Sequence, residues 1–132
     1  MDPITQEKID ELLQFLPAFQ VEGRTFIEWQ GGEERAEGAI HIHYPRYPQD
    51  VEEFFRLAAQ PCWCDYGYKP GEASDMLADD RSIESASLAE IKTMLTYCVR
   101  GERFCDGHWG AMLESGKIVK ILERLRTLRK GI

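Results

Sequence analysis

No apolar run in this sequence approaches the roughly 20 residues needed to cross a bilayer, so no transmembrane helix is expected. The opening Met-Asp-Pro-Ile-Thr5 lacks both the basic and the apolar region of a signal peptide, which points to a cytoplasmic protein. Net positive charge is lacking as well: a balance of −7 speaks against generic nucleic-acid binding. There is no internal repeat, no low-complexity tract and no linker between domains, so the 132 residues read as one domain. The thiol-redox signature Cys-x-x-Cys is also missing, because Cys62 and Cys64 have a single residue between them.

What is present has globular proportions. With 43% hydrophobic and 30% charged residues, the chain has enough apolar surface to build a core without covalent staples. Its four cysteines, with nothing pointing to export, are expected to be thiols rather than disulfides. Charge is unevenly spread. Residues 117–132 hold six basic side chains and one acidic one, leaving ten basic and 22 acidic residues before them.

Helical signals dominate. Thr5 is placed to cap a first helix carrying Ile9, Leu12, Leu13 and Leu16 on one face, with Pro17 ending it. Residues 25–30 and 39–44 read as two short strands around a Gly-rich loop, with Ile40, Ile42 and Tyr44 facing the core. Tyr44-Pro-Arg-Tyr-Pro48 reads as an extended connector. Pro48 then opens a helix with Val51, Phe54, Phe55 and Ala58 on its apolar side, and Pro61 stops it. A short helix is expected over 71–78. Ser87-Leu-Ala-Glu90 is a capping box for a helix burying Leu88, Ile91, Leu95 and Cys98. Asp106 is expected to cap a further helix, and Ile118, Ile121, Leu122, Leu125 and Leu128 form the stripe of the last one. The fold class that follows is α+β and mostly helical, about five or six helices on one β-hairpin.

Candidate chemistry concentrates in two segments. In Arg100-Gly-Glu-Arg-Phe-Cys-Asp-Gly-His-Trp109, Arg100 and Arg103 can grip a phosphate or carboxylate, with His108 available for proton transfer. In the structural reading, the same arginines pair with Glu102, Asp106 or the many other acids, while Phe104 and Trp109 fill the core. In the loop around Trp63 and Tyr66, the aromatics either stack a ligand or partner, or cover a helix end. Cys62, Cys64, Cys98, Cys105 and His108 supply soft metal ligands, though not at zinc-site spacing. His41 and His43 fall on one side of a strand, as metal ligands or as a solvated face. The basic last helix either tracks phosphates or complements the acidic remainder.

The runs Glu52-Glu-Phe-Phe-Arg-Leu-Ala, Cys62-Trp-Cys-Asp-Tyr66, and above all Arg100-Gly-Glu-Arg-Phe-Cys-Asp-Gly107 with Leu113-Glu-Ser-Gly116 resemble a family of small bacterial proteins known as domain of unknown function 6508. The resemblance implies a stand-alone bacterial domain with no assigned activity, cofactor or catalytic residue. Three readings stand in order. The first is a non-enzymatic binding or interaction module, with a protein partner or a second copy of itself. The second is a binder of, or enzyme on, a small anionic ligand, using Trp63, Tyr66, Arg100, Arg103, His108 and Trp109. The third is a metal-binding protein; no cofactor is implied otherwise.

Overall fold

Local capping decides where the chain turns helical. Thr5 stays extended and its side-chain oxygen accepts the Lys8 amide, opening α1 (Gln6–Leu13). This helix stops before Pro17. The proline instead sits in the first turn of a separate short helix, α2 (Leu16–Phe19), where its missing N–H would have had no partner anyway. The computed structural model describes residues 3–30 and 44–132, and the account below is confined to them.

Two short strands, β1 (Glu28–Gln30) and β2 (Tyr44–Arg46), pair antiparallel, with Glu28 opposite Arg46 and Gln30 opposite Tyr44. The expected connector after Tyr44 is therefore strand. Tyr44 does not face the core: it is 49% exposed, because three-residue strands leave no covered face at that end. Phe26, just before β1, is buried in its place, edge-on to Phe19. Ile40 and Ile42 lie outside the described residues.

After Pro48, α3 (Gln49–Ala58) carries Asp50 and Glu52 in its first turn and buries Val51, Phe54, Phe55 and Ala58. A 3-10 turn at Pro61–Trp63 follows. Next come α4 (Pro70–Ala78) and α5 (Asp80–Glu84), the second opened by Asp79 accepting the Arg81 amide. The Ser87–Glu90 capping box forms as expected and starts α6 (Leu88–Arg100). A 3-10 turn, Gly101–Arg103, leads to α7 (His108–Glu114) and then α8 (Lys117–Leu128). The described residues thus form eight α-helices against a strand pair, and the two beyond the expected six are the short α2 and α5.

One contiguous core joins these elements: Ile9 and Leu12 of α1, Phe54 and Phe55 of α3, Ile91 and Leu95 of α6, and Ile118, Ile121 and Leu125 of α8. The basic charge of α8 and the turn after it is largely answered within the fold. Lys117 and Lys120 reach Asp80 at 3.1 and 3.7 Å, Arg124 donates to the Ala86 carbonyl, and Arg129 grips Asp10 at 2.7 and 3.0 Å. Among the described residues, no helix is long and apolar enough to cross a membrane.

Candidate functional site

The turn from α6 to α7 is built around two residues that must be what they are. A Cβ on Gly101 would lie 2.3 Å from the His108 ring, so the close approach demands glycine. Gly107 sits at φ +89°, a left-handed conformation, with Trp29 and Ile27 pressed against it. Asp106 does not cap α7. The Glu102 carboxylate does, accepting the Gly107 amide at 3.0 Å and the Trp109 amide at 2.8 Å. The 3-10 turn swings Glu102 over the helix start, whereas Asp106 is turned out to solvent. Glu102 also receives the Tyr47 hydroxyl at 2.8 Å, and that hydroxyl accepts the Gly110 amide at 3.3 Å. Burial, with Glu102 beside it, pushes the Tyr47 phenol well above its ordinary range.

Because Glu102 is committed to these donors, it does not pair with the neighbouring arginines. Arg100 donates from Nη2 to Cys64 Sγ at 3.2 Å and lies 5.2 Å from the centre of the Tyr68 ring. Arg103 is exposed, and among the described residues it makes no ion pair. The expected pairing with Glu102, Asp106 or another acid is absent for both among the described residues, and Phe104, expected in the core, is exposed. The two arginines instead line a cleft of about 190 Å³, walled by Ala58, Ala59, Cys64, Tyr66, Thr96 and Val99. A larger hollow of about 510 Å³ beside the strand pair contains none of the candidate residues.

The loop that forms one wall is held rigidly. The Asp65 amide donates to Thr96 Oγ1 at 2.9 Å, and its carboxylate accepts the Thr93 hydroxyl at 2.7 Å and the Gly67 amide at 3.1 Å. Tyr66 therefore stands at the rim, 73% exposed, while Trp63 is wholly buried beneath it in the core. Trp109 stacks on Phe55 at 4.4 Å and donates its indole N–H to the Val99 carbonyl at 3.0 Å. His108 stands edge-on to Tyr97, and burial holds its pKa below the ordinary value. It does not line the cleft. Of the six residues singled out by sequence, then, Tyr66, Arg100 and Arg103 come together; Trp63, His108 and Trp109 serve the surrounding packing. No local pattern marks Glu102 as a structural centre, since a carboxylate six residues ahead of a helix start matches no capping motif.

Cys62 and Cys98 are buried, Cys64 is half-buried and Cys105 is exposed, all as free thiols. Among the described residues, no group of three or more His, Cys, Asp or Glu side chains is placed to hold a metal ion. His41 and His43 lie outside the described residues.

A sequence-family model described as a family of unknown function (DUF6508) matches residues 4–131. The chain belongs to this family. No curated protein and no solved structure matches it. Within this DUF6508 member, the Arg-Gly-Glu-Arg run divides cleanly: Gly101 and Glu102 build the turn, while Arg100 and Arg103 face the cleft.

Proposed function

We propose that this protein is a non-enzymatic binding module that receives an anionic group, a carboxylate or a phosphate, between Arg100 and Arg103. The observation that carries the reading is a pair of guanidinium groups lining one cleft, neither matched by a carboxylate, in a chain with a net charge of −7. In such a chain, acidic partners are plentiful, yet every ion pair among the described residues uses other cations. Planar guanidinium forks suit bidentate recognition of either anion. Binding is favoured over catalysis because His108, the candidate for proton transfer, packs against Gly101 and Tyr97 away from the cleft. Four free thiols suit a cytoplasmic setting, and the family resemblance a bacterial one.

Thermal unfolding at low ionic strength, with inorganic phosphate and with glutarate, tests the reading. Either anion should raise the midpoint, since a ligand that binds only the folded state stabilises it. Arg103→Ala should unfold like the parent without ligand, because the side chain is exposed and unpaired, and should lose the anion response. A parent protein indifferent to both anions, or a variant that responds equally, would overturn it.

A further inference from the structure

We infer that the ligand of the arginine cleft is a compact aromatic acid, one planar ring bearing a single carboxylate or phosphate, an inference that rests on the anion-binding reading above. Size sets the first limit. At about 190 Å³ the cleft falls below the roughly 300–1,000 Å³ of pockets that take drug-sized molecules, so its occupant is smaller than those.

Charge sets the second limit. Arg100 and Arg103 line the cleft, and no carboxylate among the described residues lines it with them. The two adjoining hollows differ: Asp65 and Glu90 line the one that shares Cys64 and Tyr66, and Glu52 and Glu102 line the one that shares Ala59 and Val99. A polyanion running out of the cleft in either direction would meet like charge, whereas a short anion between the arginines stays clear of it. Arg100 is set in place for that anion before it arrives, since Nη2 donates to Cys64 Sγ and the Tyr68 ring lies beside the guanidinium.

The remaining wall decides what the anion is attached to. Ala58, Ala59 and Val99 bring hydrocarbon side chains. The Thr96 hydroxyl is engaged, donating to the Lys92 carbonyl at 2.8 Å and accepting the Asp65 amide at 2.9 Å. A polar body would leave donors and acceptors unmatched against such a wall, while a hydrocarbon body has none to lose. Tyr66 favours a flat one: its exposed ring at the rim is a surface on which an aryl group packs offset or edge-on.

The test titrates the whole chain with benzoate, acetate, phenyl phosphate and inorganic phosphate at constant ionic strength, following amide chemical shifts by NMR. Benzoate should bind about tenfold tighter than acetate, and phenyl phosphate about tenfold tighter than phosphate, through partial burial of the ring. Benzamide, a ring without the charge, should not bind, and Arg103→Ala should abolish the response to benzoate. At about ten times its Kd, benzoate should slow alkylation of Cys64 by iodoacetamide about tenfold, because that thiol lines the cleft, and leave exposed Cys105 as reactive as before. If acetate and phosphate bind in an Arg103-dependent way but the ring adds no affinity, the aromatic inference falls and the anion site stands. Cyclohexanecarboxylate binding as tightly as benzoate, or Cys64 left unprotected, has the same consequence. If none of the four anions binds, or benzamide binds as well as benzoate, both readings fall together.

Discussion

The Tyr47 hydroxyl donates to Glu102 Oε1 at 2.8 Å, tying the segment after β2 to the turn between α6 and α7 across 55 positions of sequence. The same carboxylate caps α7, so one side chain joins strand pair, turn and helix start.

Glu102→Ala should therefore cost about 3 kcal/mol of stability, since it strips acceptors from two helix-start amides and from a partly buried phenol. Glu102→Gln keeps one acceptor oxygen and should cost about half as much. Urea unfolding monitored by far-ultraviolet circular dichroism measures both; an alanine variant as stable as the parent would remove Glu102 from this central role.

Gly101 and His108 should behave as a coupled pair. Gly101→Ala places a methyl group where the imidazole stands and should destabilise by about 2 kcal/mol. Adding His108→Ala opens the space and should return part of that loss, giving a non-additive double-mutant cycle. Additive costs would mean that the ring is free to move aside.

His108 should also give the fold a pH dependence. Burial lowers its pKa in the folded protein below the ordinary 6.5, so the unfolded chain takes up a proton more readily. The stability this contributes is complete above 6.5 and is lost as pH falls from there toward the folded value. Denaturation midpoints at pH about 7.5 and about 5.5 should differ in the parent and differ less in His108→Gln.

Arg24 and Asp50 predict a second, lower window. The guanidinium holds the carboxyl below its ordinary 3.8 through hydrogen bonds of 2.7 and 2.8 Å, and also lies over the Phe26 ring. A depressed carboxyl stabilises the fold above the unfolded pKa and stops doing so as pH falls through the folded one. Asp50→Asn should thus cost about 1 kcal/mol near neutrality. Its deficit should shrink as the solution is acidified below about pH 4. A deficit independent of pH would point to the amide's packing rather than to charge.

Thiol reactivity should sort by burial. Cys105 is exposed and should react fast with a disulfide reagent, followed by half-buried Cys64. Cys98 is fully buried, its thiol pushed up to about 12 by desolvation, and with Cys62 it should react only on unfolding. Four equally fast thiols in the native protein would contradict this core.

What could be read from sequence was mostly what neighbouring residues decide. Ser87 and Glu90 satisfy one another's amides within a single turn, and the stripe from Ile118 to Leu125 needs only helical spacing. Reading failed where partners are distant or elements short. Pro17 looked like a terminator, but the helix had already broken, and the proline serves the next one. α5 offers a single buried residue, Ile83, too little for a periodicity to register. At the candidate site, the arginines were visible as residue types, whereas their shared cleft depends on α3 and the Cys64–Tyr66 loop lying beside α6. Glu102 looked like their counter-ion; only the folded turn shows it already engaged by Tyr47, Gly107 and Trp109.

The clasp between the first and last helices bears on how the chain is made. Arg129 grips Asp10, and the Gln6 side chain donates to the carbonyl oxygens of Arg129 and Ile132 at 3.2 and 2.9 Å. During synthesis, Ile9 and Leu12 emerge long before the α8 residues Ile118, Ile121, Leu122 and Leu125 with which they share a core. Until α8 emerges, α1 has only partners such as α3, and the side it turns to α8 stays uncovered. Nascent chains stalled before α8 should accordingly be the form that chaperones and proteases meet.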